Sequence, residues 1–343
     1  MLNQNKEQNL ILEFILVSIS AFLFWYINGL FDGSGFGTDM GRYFSAWNTL
    51  ADKFELSVVS YIFSNELSFA DPFNFLIQYG FKIIGFSFYA FLLLVTFAFY
   101  KGFTHRLNIL FGKRITILQI FMVLYCTPFV WISGTLAALR NAMAFTVILF
   151  FCIQTIDEKI LSKKFLIELF ITIFAALLHL SSVLLVPFLF LKKIFKRYIK
   201  LYNLLFYLIF IFYISGSISK LGNLLGNPLI SEFKFIFRSM AITEADGNFY
   251  VVGPTFLKAL SIILPILIIE ITKKYYTNYQ KINLEPITLF YKYISILTML
   301  LSNFPYNDRI MYYGWLFTPV MFSLPFYVVL KYMFFPIKLK VKN

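Results

Sequence analysis

The sequence has little charge, and this shortage limits the class of protein that it can encode. Only 14% of the 343 residues are charged, whereas 59% are hydrophobic and 21% are aromatic. A typical soluble domain has about 25% charged residues. Apolar runs of about 18 or more residues recur along the whole chain, which is typical of membrane-spanning helices. The composition therefore predicts an all-α polytopic membrane protein, with one transmembrane domain over residues 1–343.

Cysteine and histidine are also scarce, since the chain has two of each. Cys126 and Cys152 both lie in predicted spans, so they indicate neither a disulfide framework nor a metal cluster. The sequence has no glycine-rich phosphate loop, no HExxH or GxSxG motif, and no pair of carboxylates with metal-ligand spacing. We therefore expect no metal and no cofactor, and sugar-nucleotide chemistry on the cytoplasmic side is disfavoured.

The net charge is +13. In a membrane protein such an excess is typical of cytoplasmic loops that face anionic lipid, and we expect no nucleic-acid partner. The first apolar run, from Leu10, is followed by no small-residue cleavage site and is interpreted as a retained helix.

The apolar runs can be threaded through a bilayer as about ten membrane-embedded segments, with both chain termini cytoplasmic. The predicted segments are 10–30, 84–100, 115–132, 142–156, 165–178, 183–191, 201–214, 256–271, 287–301 and 315–331. Outward loops are predicted at about 31–80, 215–253 and 302–314, and basic inner loops at 101–114, 157–164, 192–200 and 272–286. Amphipathic helices at the interface are expected in the first outward loop, over 43–54, 56–63 and from Pro72.

Residues 165–191 allow two interpretations. One long helix could cross with tilt, but it would separate the basic stretches 163–164 and 192–200, which the positive-inside rule places on one side. We prefer two short segments broken over 179–182, at His179. Since broken membrane helices are tolerated only where the freed backbone lines a polar cavity, the break itself indicates a site.

Lysine and arginine differ in their distribution along this threading. Most lysines fall on the cytoplasmic side, whereas Arg42, Arg140, Arg238 and Arg309 face outward. Both residue types carry the charge that sets topology, so topology does not explain the outward arginines. The forked guanidinium binds phosphate or carboxylate through two hydrogen bonds, and lysine does not. The outward arginines therefore predict a site for an anionic ligand.

Arg140 and His179 are the strongest candidates. Arg140 is predicted in the short turn between two spans, where it either serves a site or anchors the chain at the interface. His179 lies at the predicted break, and its ordinary pKa of about 6.5 suits a general base. A phosphate ligand and a structural histidine are the alternatives.

Three weaker candidate sites lie in the outward loops. Arg309 and Tyr313 share a face if they are helical, and a local ion pair is the alternative there. Asp39 and Tyr43 follow a glycine-rich stretch. A sugar-binding site and a surface turn explain these residues equally well. Arg238 lies near three carboxylates, which is more typical of a solvated face.

Together the outward residues suit a ligand with an anionic head and a lipid tail, such as a polyprenyl-diphosphate-linked sugar. Arginines would hold the diphosphate and stabilise it as a leaving group. His179 or an acidic side chain would take the proton of an acceptor hydroxyl.

The segment LAALRNAMAFTVILF, followed after a lysine-rich loop by FAALLHLSSVLLVPF, resembles the EpsG-type branch of bacterial O-antigen and exopolysaccharide polymerases, the Wzy class. Pro187, an early Asp-x-x-x-Tyr at Asp39 and a late Arg-x-x-x-Tyr at Arg309 also match that pattern. The resemblance implies a GT-C-like glycosyltransferase of the bacterial inner membrane, inverting and metal-independent. It would polymerise undecaprenyl-diphosphate-linked repeat units on the periplasmic face, with a chain-length regulator protein as a partner.

The resemblance also implies roles for single residues. Arg140 and Arg309 would bind the donor diphosphate, and His179 would be the base or a second phosphate ligand. Asp39 would contact the sugar or compete for the role of base. The predicted catalytic set is His179, Arg140 and Asp39, and the predicted substrate-binding set is Arg140, Arg309, Arg42, Tyr43, Arg238 and Tyr313.

Other functions stay open at this point. A flippase for the same lipid-linked sugar would need the outward arginines and usually an inner charged set as well. Here the inner charges are almost all predicted loop lysines, which disfavours a flippase. An O-antigen ligase or a sugar-modifying membrane acyltransferase is compatible with His179, and a purely structural subunit is disfavoured by the outward arginines.

Overall fold

The structure is a computed structural model, which describes residues 38–64, 72–111, 139–151, 162–218, 255–275, 284–302, 307–323 and 325–326, with scattered positions between 11 and 22. Every regular element in these residues is helical, which confirms the all-α prediction. The helices are α1 Thr38–Thr49, α2 Leu56–Phe63, α3 Pro72–Ile83, α4 Phe88–Phe111, α5 Leu139–Phe151, α6 Lys163–Leu178, α7 Leu185–Arg197, α8 Ile199–Ile214, α9 Phe256–Tyr275, α10 Glu285–Leu300 and α11 Asn307–Trp315. A 3-10 turn, Leu180–Leu184, joins α6 to α7.

Fewer described helices can cross a bilayer than the ten predicted segments. Among the described residues, Phe88–Ile109 is long and apolar enough alone, and the pair Leu180–Arg197 and Ile199–Ile214, bent by 113°, qualifies if it counts as one span. Length explains much of the difference, because a crossing needs about 20 apolar residues. Helices α6, α7 and α8 have 16, 13 and 16 residues. The predicted segment 115–132 lies outside the described residues, as do most of 10–30 and parts of 142–156 and 315–331.

Several helices nevertheless expose apolar faces. On α6 a stripe of side chains points outward, with Phe170 71% exposed, and α8 and α9 carry similar stripes at Leu201 and Leu257. Charged side chains such as Lys192 and Glu168 are buried instead. Contiguous exposed apolar surface of this kind marks contact with lipid or with another protein.

The predicted break at His179 is confirmed. Helix α6 ends where the backbone of His179 becomes extended, with φ −155° and ψ 116°. The rings of Phe165 and Phe190 lie 5.1 Å apart, so α6 and α7 run side by side in opposite directions. We call this pair the α6–α7 hairpin. It excludes the alternative of one long helix and brings both basic stretches to the same end.

Helices continue into three of the predicted loops. Helix α4 reaches Phe111 through residues of the predicted loop 101–114, and α11 occupies the predicted loop 302–314 from Asn307 onward. Of the predicted loop 192–200, only Tyr198 lies between two helices. Lysine and arginine are good helix formers with long aliphatic stems, so a basic stretch need not leave a helix.

Helix starts also differ from the prediction near the first outward loop. The helix expected over 43–54 is α1, which ends at Thr49. The span expected from residue 84 begins as α4 at Phe88, because the chain turns first at Gly85, whose φ is +89°. A glycine takes that left-handed conformation without the cost that a side chain would add.

A line of aromatic rings forms the centre of the packed helices. Phe145 of α5 lies 6.1 Å from Phe103 of α4 and 4.9 Å from Phe317, just after α11. Phe290 of α10 then contacts both Phe317 and Phe188 of α7, each at 5.2 Å. These pairs are mostly edge-to-face, a favourable geometry for aromatic rings. The line fixes α5, α7, α10 and α11 around one core.

Candidate functional site

Helix α1 is held in place by two residues of α3. The ammonium group of Lys82 donates to the carbonyl oxygen of Trp47 at 2.9 Å, and to that of Leu50, at the C-terminal end of α1. A cation there complements the helix dipole. The hydroxyl of Tyr79 donates to the carbonyl oxygen of Lys53 at 2.8 Å and accepts the N–H of Glu55 at 2.7 Å. These contacts fix the position from which α1 presents Tyr43.

Arg140 and Tyr43, both predicted site residues, are brought together from positions 97 residues apart. The Nε of Arg140 donates to the Tyr43 hydroxyl at 2.7 Å, and the guanidinium carbon lies 5.7 Å from the ring centroid. Tyr43 is buried and Arg140 is half-buried. The prediction that Arg140 lies in a turn is wrong, because α5 begins at Leu139 and Arg140 is in its first turn.

Tyr313, also predicted, contacts the turn after the break. Its hydroxyl lies 2.5 Å from the Ser182 hydroxyl and 3.2 Å from the Ser181 hydroxyl, both within hydrogen-bond distance. Tyr313 and Ser182 are buried. The late Arg-x-x-x-Tyr motif is therefore joined to the His-Leu-Ser-Ser motif by hydrogen bonds between side chains.

These two pairs are linked through α5. The ring of Phe145 lies 6.4 Å from that of Tyr313, and Phe145 follows Arg140 by five residues, which is about 7–8 Å along a helix. We call these two groups together, Tyr43 with Arg140 and Tyr313 with Ser181 and Ser182, the hydroxyl cluster.

His179 forms the corner beside this cluster. Its backbone N–H donates to the carbonyl oxygen of Ala175, and its own carbonyl oxygen accepts the N–H of Ser182, both at 2.9 Å. The residue is 8% exposed. The position of His179 in the fold is therefore fixed by α6 on one side and by the serines that contact Tyr313 on the other.

The remaining predicted site residues are only partly described. Asp39 and Arg42 lie in α1, in the turn that leads to Tyr43, and Arg309 lies in α11, four residues before Tyr313. Their side chains are outside the described part of the structure. Arg238 lies in 219–254, which is also outside it.

The sequence interpretation missed a set of ion pairs. Glu168 pairs with Lys192 at 2.5 Å, Glu285 with Lys196 at 3.7 Å and Glu270 with Lys292 at 3.8 Å. They join α6 to α7, α7 to α10 and α9 to α10 in turn. We call these six residues the ion-pair belt. Glu168 precedes His179 by 11 residues, about 16 Å along a helix, so the belt lies away from the hydroxyl cluster.

Two members of the belt are exceptions to the prediction that the inner charges are almost all loop lysines. Lys192 and Lys292 are both buried within helices, and Lys292 also donates to the Asn203 side-chain oxygen at 2.8 Å. Lys292 lies inside the predicted apolar segment 287–301. A charged residue within an apolar run indicates either a function or a buried partner. This signal could have identified Lys292 from the sequence alone.

The described residues therefore form helices with apolar outer faces, a broken helix pair and an arginine that is bound to a buried tyrosine. A family model described as the EpsG family matches residues 14–335, and the chain belongs to that family. Membership implies a membrane protein and suggests a polysaccharide polymerase-like role. No curated protein and no solved structure matches the chain.

Proposed function

We propose that this protein is a membrane glycosyltransferase that polymerises undecaprenyl-diphosphate-linked oligosaccharide repeat units into O-antigen, capsule or exopolysaccharide. It acts on the periplasmic face of the bacterial inner membrane, as a GT-C-like enzyme with both termini cytoplasmic. The observation that carries the proposal is the hydroxyl cluster, in which Arg140 donates to Tyr43 and Tyr313 contacts the serines that follow the break at His179. Family membership supports the same class of reaction.

The donor diphosphate binds at Arg140. A guanidinium presents its N–H donors in a rigid fork, and the Nε–H of Arg140 donates to Tyr43. That bond fixes the direction of the fork before substrate arrives, which reduces the entropy lost on binding. Arg309, one helical turn before Tyr313, supplies the second positive charge.

The reaction is a single displacement at the anomeric carbon. The acceptor hydroxyl forms a bond to this carbon as the bond to the diphosphate oxygen breaks, and the configuration inverts. The diphosphate leaves on its lipid carrier, and Arg140 and Arg309 stabilise its charge. The hydroxyl proton passes to His179, with Asp39 as the rival base. The arginines supply the positive charge, so the mechanism requires no metal.

A flippase for the same lipid-linked sugar is the second candidate, because one observation favours it. Buried Lys192 and Lys292 in the ion-pair belt are the kind of inner charged residues that a flippase would use. Each of them pairs with a carboxylate.

Replacing Arg140 distinguishes the two candidates. Arg140→Ala should abolish polymer while single repeat units still reach lipid A or another acceptor, as judged by gel analysis of the surface glycan. Arg197→Ala, which removes an exposed arginine of α7, is the matched control and should leave polymer length unchanged. Polymer of wild-type length in Arg140→Ala would refute the polymerase. Repeat units trapped on the cytoplasmic face would favour the flippase.

A further inference from the structure

Helix α3 carries two buried amides that the proposed mechanism does not use. Asn74 and Gln78 are four residues apart, so they share a face of the helix, and each is 0% exposed. A buried amide destabilises a fold unless its polar atoms form hydrogen bonds. Both residues therefore need a reason to be there.

The hydrogen bonds of this amide pair are incomplete. The Nε2 of Gln78 donates to Oδ1 of Asn74 at 2.5 Å, and Nδ2 of Asn74 donates to the sulfur of Met143 at 3.1 Å. A thioether is a weak acceptor. The Oε1 of Gln78 is buried and has no hydrogen-bond partner. If the amide of Gln78 is turned over, its NH₂ group takes the position of Oε1. One end of the amide therefore has no hydrogen-bond partner in either orientation.

The amide pair lies beside the hydroxyl cluster. Met143 follows Arg140 by three residues, so the two share a face of α5. The ring of Phe75, between the amides on α3, lies 6.5 Å from the ring of Tyr43. Asn74 therefore contacts a residue one helical turn from the arginine that the proposed function assigns to the diphosphate, and Gln78 lies a further turn along α3.

We propose that Asn74 and Gln78 form a subsite for the sugar next to the diphosphate, in which the free amide end of Gln78 binds a sugar hydroxyl. A hydroxyl both donates and accepts, so it suits either orientation of the amide. Phe75 and Tyr43 supply aromatic surface for the apolar face of the ring. This subsite depends on the proposed function, because it takes its ligand from the lipid-linked sugar held at Arg140.

Both amides are closed to solvent in this structure, so the sugar reaches Gln78 only after α3 or its neighbours move. The unsatisfied amide makes the closed state less stable than a fully bonded one. Substrate binding then satisfies the group that the closed state leaves without a partner.

Gln78→Met tests the subsite, because it keeps the size of the side chain and removes its polar end. The probes are the lipid-linked oligosaccharide extracted from a strain lacking this gene, and undecaprenyl diphosphate without sugar. Affinity for the sugar-bearing lipid should fall about tenfold, the scale of one lost hydrogen bond to a buried group. Affinity for undecaprenyl diphosphate should not change. The thermal unfolding midpoint should change little, because the variant removes the unsatisfied Oε1 but also the hydrogen bond that Oδ1 of Asn74 accepts.

Thr96→Val on α4 is the matched control, since the buried Thr96 hydroxyl is satisfied by the carbonyl oxygen of Leu92 at 2.9 Å. It should leave both affinities unchanged. Gln78→Asn is a second variant that keeps an amide but withdraws it by one methylene, and it too should bind the sugar-bearing lipid more weakly. Unchanged affinity in both Gln78 variants would overturn the subsite.

The two proposals fail in different ways. Arg140→Ala should weaken binding of both lipids, whereas the Gln78 variants should weaken only the one that carries sugar. If Arg140→Ala binds both lipids like the wild type, the proposed function is wrong, and the subsite falls with it. If only the Gln78 result is negative, the subsite alone is wrong.

Discussion

The hydroxyl cluster and the ion-pair belt use buried polar groups in opposite ways. In the belt each lysine lies beside a glutamate, so positive and negative charges cancel between helices. In the hydroxyl cluster Arg140 donates instead to the phenol of Tyr43. The ion pairs hold helices together, whereas the proposed function assigns Arg140 to a ligand. The comparison therefore sets residues that hold the helices against residues that are proposed to bind the diphosphate.

The largest effect should come from breaking the most buried pair of the belt. Glu168→Ala leaves Lys192 buried without its partner, which typically costs about 3–5 kcal/mol. Denaturant unfolding of the purified protein in detergent measures this loss. The exchanged pair, Glu168→Lys with Lys192→Glu, should restore most of the stability. If the single variant is as stable as the wild type, the belt does not hold the α6–α7 hairpin.

Arg140→Lys tests whether the hydroxyl cluster needs a guanidinium or only a charge. Lysine keeps the charge but loses the fork and the Nε–H that Tyr43 accepts. We expect a loss of about 100-fold in polymerisation rate, or about 2.7 kcal/mol, with little change in stability. Arg197→Lys is the control, and initial-rate assays with lipid-linked repeat units measure both. Near wild-type activity in Arg140→Lys would show that position 140 acts as a simple charge.

Tyr313→Phe removes the hydroxyl that joins α11 to the turn after the break. The loss of hydrogen bonds to Ser181 and Ser182 should cost about 1 kcal/mol of stability. Activity should fall further than this stability loss explains, because the same bonds hold the corner at His179. Comparing the unfolding midpoint with the polymerisation rate separates the two effects. Tyr312→Phe, at a neighbouring position, is the control.

The smallest effect should come from the most exposed pair of the belt. Lys196 and Glu285 are 35% and 40% exposed at their side chains and lie 3.7 Å apart. Exposed ion pairs contribute about 0–1 kcal/mol. Lys196→Ala should therefore change the unfolding free energy by less than about 1 kcal/mol, and high salt should reduce the difference. If Lys196→Ala lowers the unfolding free energy as much as Glu168→Ala does, side-chain exposure does not determine how much each ion pair contributes to stability.

The break at His179 could be predicted because its signal is spread along the sequence. Two basic stretches flank one long apolar run, and only a hairpin puts both on one side of a membrane. Lys192 was wrongly predicted to lie in a loop. A lysine at the end of an apolar run is usual in a loop, and its partner Glu168 lies 24 residues away on another helix.

The side-chain contacts of the candidate site were not predictable in the same way. The residues were identified by type, since an arginine or a histidine in an apolar chain is unusual. The bond between Tyr43 and Arg140 depends instead on how α1 is fastened to α3 through Lys82 and Tyr79. The amide of Gln78 has no unusual neighbour in sequence, and only packing shows that one end is unsatisfied.

The Glu168–Lys192 pair has a consequence for how the chain enters the membrane during synthesis. A charged residue makes an apolar segment insert less well. The buried pair of Glu168 with Lys192 can form only once α7 has been made, 24 residues later. The two helices are therefore expected to leave the insertion machinery together, as a closed hairpin, and the length of the turn at His179 sets how soon the second can join the first.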